Sequence, residues 1–270
     1  DKYGLINLED LKSAITDETI LVSIMFANNE VGTIEPIKEI GKITREKGII
    51  FHTDAVQAIG HVPIDVKDMN IDLLSMSGHK IYGPKGTGAL YVRKGVRITQ
   101  FIHGGAQEFN RRGGTENVCG IVGLGKAIEL ATSEMEEENN RLLELRQTII
   151  DGILNTVPYT HLNGHPEQRL SNNVNITFDF IEGESILLML DFKGIEASSG
   201  SACTSGSLDP SHVLLALGLP HEKAHGSVRI TLGRYNTKEE AEFLLKELPP
   251  IIERLRNMSP LWEDFLKSNK

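Results

Sequence analysis

A lysine, Lys80, stands where an apolar segment gives way to a glycine-rich turn, in the stretch SMSGHKIYGPKGTGALYV. A lysine in that place can be a solvated surface charge, a clamp for a phosphate group or the covalent anchor of a cofactor. A nucleotide-binding P-loop requires the pattern G-x-x-x-x-G-K-[ST]. Gly78 and Gly83 have the required separation, but Pro84 occupies the lysine position and has no N–H to offer a phosphate. The spacing therefore argues against a nucleotide P-loop.

A covalent anchor needs partner groups, and two short motifs supply candidates for them. A lysine that carries pyridoxal phosphate works beside an acid that pairs with the pyridine nitrogen and beside donors for the phosphate. Asp54 ends an apolar segment, Gln57 follows one turn later, and Ser77 and His79 stand on either side of Gly78, just before Lys80. A carboxylate paired with a pyridinium forms a strong charge-assisted hydrogen bond. Asp54 could equally cap a helix, so the two motifs together, rather than either alone, favour a pyridoxal-phosphate site.

The two cysteines of the chain lie in different surroundings. Cys119 falls in NVCGIVGLGKAI, an apolar helical context in which cysteine usually behaves as a small buried residue. Cys203 falls in SSGSACTSGS, ten residues without a large apolar side chain. Such a loop is expected to be mobile and exposed, which suits a thiol that visits a buried cofactor and then an external acceptor. The alternative for Cys203 is a tolerated surface cysteine.

Strand and helix signals alternate in the first half of the chain. The apolar segment Thr19–Ala27 is typical of a strand buried on both faces. Asn7 and Pro36 mark helix starts, so the pattern predicts helices at 8–15 and 36–48 and further strands at 49–54, 71–77 and 88–92. This rhythm predicts an α/β fold, a mainly parallel sheet with flanking helices. Ligands of such sheets bind at the carboxyl ends of the strands, where Asn28, Asn29, Asp54 and Lys80 fall.

The second half predicts a long helical stretch, from about 117 to 157, and then a smaller α+β unit. Its strands are expected near 174–178 and 228–232, with a helix from about Glu184 and another capped by Thr237 and Glu240. Asp209 and Pro210 are expected to be the N-cap and first residue of a helix that ends the cysteine loop. We therefore expect a cofactor-binding domain over 1–130 and a small domain over 131–270 that carries Cys203.

The composition argues against several kinds of binding partner. Of 270 residues, 28 are Lys or Arg and 37 are Asp or Glu, a net charge of −9 that disfavours a nucleic-acid surface. The longest apolar run is too short to span a membrane. Two cysteines form no disulfide framework and no CxxC metal pair, so no metal site is predicted, and a reducing compartment such as the cytoplasm is expected.

A resemblance to the cysteine desulfurases covers almost the whole chain. It rests on NNEVGTIEPI, FHTDAVQAIGHVPIDV, MSGHKIYGPKGTGALYV, RRGGTEN, SSGSACTSGSLDPSHVLLALGL and VRITLGRYNT, in that order. These enzymes belong to the class V aminotransferase superfamily of fold type I pyridoxal-phosphate enzymes, and the serine-rich cysteine loop is similar to that of the long-loop group that serves iron–sulfur cluster assembly. The resemblance implies that 1–130 is a partial large domain, since the family's first helices, phosphate loop and ring-stacking histidine have no counterpart here.

The resemblance also assigns roles to individual residues. Lys80 matches the cofactor-bearing lysine, Asp54 the partner of the pyridine nitrogen and Gln57 the partner of the ring hydroxyl. The remaining matches are Asn29 near that hydroxyl and the substrate, Ser77 and His79 at the phosphate, Thr115 at the phosphate of a partner subunit's cofactor, Arg229 at the substrate carboxylate and Cys203 as the nucleophile that forms the persulfide. Arg229 could also face solvent, Thr115 could simply close a turn after two glycines, and Arg111, Arg112 and Arg234 stay ambiguous.

The implied activity is conversion of L-cysteine to L-alanine by a homodimer, with sulfur passed from Cys203 to an iron–sulfur scaffold or another acceptor protein. The tail SPLWEDFLK resembles the family's scaffold-docking end, although its aromatic residues could pack within the chain. The alternatives are a C–S lyase, a selenocysteine lyase or an aminotransferase of the same superfamily, or an inactive fragment that serves as an interaction module.

Overall fold

The computed structural model describes residues 1–200 and 209–269. Its contacts divide the chain into two compact units. The parallel-sheet unit comprises Asn7–Ala27 and Glu35–Met135, and the antiparallel-sheet unit comprises Asp1–Ile6, Asn28–Ile34 and Glu136–Lys270. Two short segments near the N-terminal end of the chain therefore group with its second half.

The parallel-sheet unit is built on four strands that neighbour one another in chain order. These are β1 (Leu21–Ser23), β2 (Ile50–Asp54), β3 (Leu73–Ser77) and β4 (Gly88–Val92), of which the first three are parallel and β4 runs antiparallel to β3. The helices are α1 (Leu8–Ala14), α2 (Ile37–Glu46), the single turn α3 (Gln107–Asn110) and α4 (Val118–Ser133). The predicted mainly parallel sheet with flanking helices is confirmed.

The first strand differs from its prediction. Instead of a strand over Thr19–Ala27 that is buried on both faces, β1 has three residues, and only Val22 among them is buried. Ile20 and Leu21 are 83% and 47% exposed. Among the described residues β1 pairs with β2 alone, so it is an edge strand. The apolar residues after Ser23 stay beside β2, because the N–H groups of Ile24 and Phe26 donate to carbonyls of that strand.

The core of this unit lies between the sheet and α2. Ile40 of α2 and Phe51 of β2 are fully buried, as is Ile71 just before β3. Pro36 precedes α2 as its N-cap rather than as its first helical residue, and Gly48, with φ of +70°, ends it. A left-handed residue just past the last turn is a position that glycine takes without steric cost.

The antiparallel-sheet unit holds a second, smaller sheet of β5 (Thr160–Leu162), β6 (Asn173–Phe178) and β7 (Ser227–Thr231), in that order and antiparallel throughout. All six residues of β6 are buried. Helices α5, α6 and α9 supply the apolar side chains that pack on this sheet. The helices of the unit are α5 (Met135–Thr156), α6 (Gly183–Asp191), α7 (His212–Ala216), α8 (His221–His225), α9 (Lys238–Asn257) and α10 (Pro260–Ser268). A second α+β unit with a smaller sheet is thus present. The helical stretch predicted over 117–157 is two helices, α4 and α5, separated at Glu134.

Besides Pro36, three helix starts were predicted from capping residues: two are confirmed and one is wrong. Asn7 accepts from the N–H groups of Glu9 and Asp10, and Thr237 and Glu240 form the full capping box of α9. Asp209 and Pro210 do not start the helix after the cysteine loop. The N-cap of α7 is Ser211, because its hydroxyl reaches the N–H of Leu214 at 3.3 Å.

The C-terminal tail packs within its own unit. Trp262 and Phe265 of α10 lie against the rings of Tyr159 and Phe180, with centroid separations of 4.6–5.5 Å. Arg256 places its guanidinium beside the rings of Tyr159 and Trp262. Of the tail's apolar residues, Leu261 and Leu266 are 48% and 44% exposed. No helix in residues 1–200 or 209–269 is long and apolar enough to cross a bilayer.

Candidate active site

Lys80 is presented by a tight turn at the carboxyl end of β3. The strand ends at Ser77, a 3₁₀ turn covers Gly78–Ile81, and the N–H of Gly83 closes onto the carbonyl of Gly78 at 2.9 Å. Ile81 is buried in a cluster with Leu124 and Ala127 of α4. This anchoring leaves Lys80 exposed, and its ammonium group forms no ion pair with any residue in the described ranges. The turn therefore offers a positively charged or nucleophilic amine at a strand end.

Ser77 and His79 form a pair immediately beside Lys80. The Ser77 hydroxyl lies 2.7 Å from Nδ1 of His79, and the imidazole is exposed. A hydroxyl and an imidazole nitrogen at the head of a short helical turn are the donor types that hold a phosphate group. The structure thus brings together three of the predicted site residues, Ser77, His79 and Lys80, within four positions of one turn.

Asp54 ends the neighbouring strand, β2, and lies in register with Ser75 of β3. Its carboxylate is exposed, and Oδ1 accepts a hydrogen bond of 2.9 Å from the N–H of Val56. The chain continues in turns rather than a helix, so Asp54 closes an Asx turn instead of capping a helix. Gln57 follows in the same turn and is half-buried. One oxygen of Asp54 stabilises the turn, and the carboxylate keeps capacity for a cationic partner, since ionised it can accept about four hydrogen bonds.

A hydrogen-bonded row that the sequence analysis missed lies one residue pair behind Asp54. His52 Nδ1 is 2.7 Å from the hydroxyl of Ser23 on β1, and His52 Nε2 is 2.8 Å from the hydroxyl of Ser75 on β3. Burial lowers the pKa of His52 below its usual value of 6.5, against the opposing charge of Asp54. The available signal was a period of two: Ser23, then His52 with Asp54, then Ser75 with Ser77, each set at the end of a successive strand.

Arg229 and Asn29 form a second group, in the antiparallel-sheet unit. Arg229 is a half-buried residue of β7 whose Nε donates to the Ser198 hydroxyl and whose Nη1 donates to the backbone carbonyl of Asn29, both at 3.0 Å. Ser198 also pairs with Arg229 through both backbone hydrogen bonds. Arg229 therefore does not simply face solvent. Ser198, which the sequence analysis did not single out, holds the guanidinium in place.

Thr115 is exposed in the segment between α3 and α4, and no hydrogen bond within the described ranges joins it to Ser77, His79 or Lys80. Cys119 contradicts its prediction, since its thiol is exposed rather than buried. It lies in the first turn of α4, whose buried positions are Gly120, Leu124 and Ala127. The apolar stretch around Cys119 thus belongs to an outward face of the helix. Cys203 lies outside the described residues.

The donor set suits pyridoxal phosphate. A carboxylate at one strand end, an amine at the next and a hydroxyl–imidazole pair beside that amine are the groups that pair with a pyridine nitrogen, attach an aldehyde and hold a phosphate. Gly78 and Gly83 keep this turn compact, since a Cβ would lie 2.9 Å from Thr87 Oγ1 in the first case and 2.8 Å from the Gly78 carbonyl in the second. The residues present therefore fit the cofactor.

The chain is similar to known proteins along its whole length. Residues 1–244 match the family described as "Aminotransferase class-V". "Cysteine desulfurase IscS" of Methanosarcina thermophila is 66% identical over 261 residues, which are 97% of this chain and 64% of that protein. "Cysteine desulfurase IscS" of Clostridium botulinum is 63% identical over 272 residues, 100% of this chain and 68% of that protein. "Cysteine desulfurase NifS" of Azotobacter vinelandii is 52% identical over 97% of this chain and 65% of that protein.

The chain is also similar in fold and sequence to solved structures. A "NIFS-LIKE PROTEIN" superposes with a TM-score of 0.86 at 39% identity and covers 94% of this chain and 67% of its own. The structure "SspA in complex with cysteine" superposes with a TM-score of 0.71 at 40% identity, over 88% of this chain and 65% of its own. The chain spans about two thirds of the length of these proteins, from 64% to 68%. On these matches the chain belongs to the class V aminotransferase family and, within it, to the cysteine desulfurases.

Proposed function

We propose that this chain is part of a pyridoxal-phosphate-dependent cysteine desulfurase that converts L-cysteine to L-alanine and places the sulfur on Cys203 as a persulfide. The observation that carries the proposal is the grouping of Asp54, Ser77, His79 and Lys80 at the carboxyl ends of two adjacent strands. Sulfur then passes to an iron–sulfur scaffold or another acceptor protein, in the cytoplasm.

The candidate site residues of the parallel-sheet unit bind different groups of the cofactor. Asp54 pairs with the pyridine nitrogen, Gln57 with the ring hydroxyl, and Ser77 and His79 hold the phosphate, while Lys80 attaches the cofactor. Bound pyridoxal phosphate supplies a sink for electrons from the substrate's α-carbon. The amine of Lys80, once free, moves the α-proton, a role that suits a lysine at a strand end that no carboxylate among the described residues holds.

In the antiparallel-sheet unit, Arg229 binds the α-carboxylate of cysteine, since a guanidinium presents paired N–H donors that match a carboxylate. Its bonds to Ser198 and Asn29 fix the guanidinium before substrate arrives. We assign the side chain of Asn29 to the substrate and the ring hydroxyl.

The Cys203 thiolate attacks the sulfur of the substrate, because the thiolate is the nucleophilic form. A sulfur–sulfur bond forms and the carbon–sulfur bond breaks. The electron pair of the broken bond stays with carbon, which takes up a proton and leaves as alanine. The transferred sulfur remains on Cys203.

We further propose a homodimer in which Thr115 reaches the cofactor of the partner subunit. Large apolar side chains on the parallel-sheet unit support a covered surface: Phe101 and Phe109 are 92% and 89% exposed, and Val118 and Val122 of α4 are 64% and 66% exposed. Apolar side chains exposed to this extent are typical of a protein–protein contact.

Lys80 is the residue whose removal tests the proposed function most simply. In the natural gene product, Lys80→Ala should abolish both the visible absorption of lysine-bound cofactor and the release of alanine from cysteine. Lys85→Ala, an exposed lysine five positions on, is the matched control and should retain both. Turnover that persists in Lys80→Ala at the parent rate would refute the assignment. If the unaltered protein binds no pyridoxal phosphate, the non-enzymatic alternative is favoured. If it catalyses transamination and does not need Cys203 for this, an aminotransferase is favoured.

A further inference from the structure

The row Ser23–His52–Ser75 spans three strands of the parallel sheet on the face that carries the site. Ser23 and His52 are register partners, and so are Asp54 and Ser75. Side chains two residues apart on a strand point to the same face, so His52 shares its face with Asp54, and Ser75 shares its face with Ser77. Phe51 and Thr53, on either side of His52, are fully buried on the opposite face. The imidazole thus lies directly behind the two residues that end β2 and β3.

The bonding capacity of a neutral imidazole matches this row. One ring nitrogen donates and the other accepts, and a serine hydroxyl can do either, so both bonds of 2.7 and 2.8 Å are satisfied without a charge. Asp54 on the same strand is the charged group that acts on His52. The strands on either side contribute Ser23, Ser75 and Ser77 to this face, none of which ionises near neutral pH. A neutral His52 leaves the charge of Asp54 available to a cation at the strand end.

We propose that His52 is a positioning residue for the cofactor site: its bonds to Ser23 and Ser75 hold the ends of the three strands in register and so place the Asp54 carboxylate and the Ser77 hydroxyl. The link to β3 runs through Nε2, and β3 carries Ser77 and the turn of Lys80. This link matters more than the Nδ1 link to the edge strand β1. The inference rests on the proposed function, because Asp54 and Ser77 are assigned there to pyridoxal phosphate.

Two substitutions separate the links. In His52→Gln the amide nitrogen can occupy the place of Nε2 and keep the contact with Ser75, whereas in His52→Asn it can occupy the place of Nδ1 and keep only the contact with Ser23. His52→Phe removes both bonds at similar volume. The natural gene product is stripped of cofactor and titrated with pyridoxal phosphate, with absorption as the readout. We expect His52→Phe to weaken binding about tenfold, the equivalent of one net hydrogen bond, and the Gln variant to retain more affinity than the Asn variant.

Ser75→Ala provides a milder second variant in case His52→Phe does not fold, and Ser13→Ala, an exposed serine of α1 in the same unit, is its matched control. The proposal predicts that Ser75→Ala weakens binding, that Ser13→Ala does not, and that Ser75→Ala has no further effect when combined with His52→Phe. A purely structural role for His52 would lower the melting temperature of the cofactor-free protein without this non-additivity. A folded His52→Phe or Ser75→Ala variant with parental cofactor affinity overturns this inference but leaves the proposed function standing. Failure of the unaltered protein to bind pyridoxal phosphate refutes the proposed function and this inference with it.

Discussion

Gly83 closes the turn that presents Lys80, and its replacement by alanine tests whether the geometry of that turn matters. The Gly83 N–H bonds the carbonyl of Gly78, so the two residues approach closely. A Cβ on Gly83 would lie 2.8 Å from that carbonyl oxygen and 3.1 Å from the Cβ of Ala127. Neither neighbour is the free end of a flexible side chain, so the backbone itself must move. Overpacking of this kind costs about 1–3 kcal/mol.

Gly125→Ala is the matched control, because it makes the same chemical change in α4, where a Cβ meets nothing within 4 Å. Alanine is favoured over glycine in a helix by about 1 kcal/mol. The two variants should therefore differ in stability by about 2–4 kcal/mol, which corresponds to roughly 4–16 °C in melting temperature. Thermal unfolding measures this difference, and the absorption of lysine-bound cofactor reports the placement of Lys80, which should fail only in Gly83→Ala. Equal stability and equal cofactor content in the two variants would show that the close approach of Gly83 to Gly78 does not control the placement of Lys80.

Three further predictions concern the other sites. Arg229→Lys should raise the KM for L-cysteine about tenfold or more, since a hydrogen bond to a charged group contributes about 1.5–3 kcal/mol, and steady-state kinetics with an unchanged cofactor spectrum would show it. Arg256→Met should lower the free energy of unfolding by about 3 kcal/mol, because the guanidinium donates to the carbonyls of Pro158, Tyr159 and Asp179, and urea unfolding measures it. The pKa of His52 is lowered in the folded chain, so the unfolded chain binds more protons between that pKa and 6.5. The free energy of unfolding should therefore rise with pH through that window, and the contribution of neutral His52 should be fully present above pH 6.5. His52→Gln should lose less stability than the parent on acidification below pH 6.5, and equal pH profiles would contradict this.

Features that depend on a few neighbouring residues could be predicted from the sequence. The capping box of Thr237 and Glu240 and the N-cap at Asn7 satisfy backbone donors within one turn, so their residue types are sufficient to identify them. The strands that end at Asp54 and Ser77 were also found at nearly their observed bounds. Because parallel strands end at the same edge of a sheet, their final polar residues indicated a site.

Features that depend on which segments pack together could not be predicted in this way. The apolar run at Thr19–Ala27 is typical of a central strand, yet β1 lies at an edge of the sheet in the described part of the chain. Cys119 occurs in an apolar sequence, but which face of α4 is buried is decided by its packing on the turn of Ile81. The bond from His52 to Ser75 joins residues 23 positions apart. It requires the strand order and register, which no local pattern contains.

The proposed function requires that sulfur from cysteine comes to rest on Cys203. The most direct measurement is to treat the cofactor-loaded natural gene product with ³⁴S-labelled L-cysteine in the absence of an acceptor, and to map the label by peptide mass spectrometry while alanine is counted. Cys119 is the internal control, because its thiol is exposed and so accessible to adventitious sulfur transfer. We expect one persulfide on Cys203 for each alanine in the first turnover and no label on Cys119. In Cys203→Ser we expect the persulfide to be lost and the cofactor spectrum to be retained. Label on Cys119, or alanine formed at the parent rate by Cys203→Ser, would contradict it.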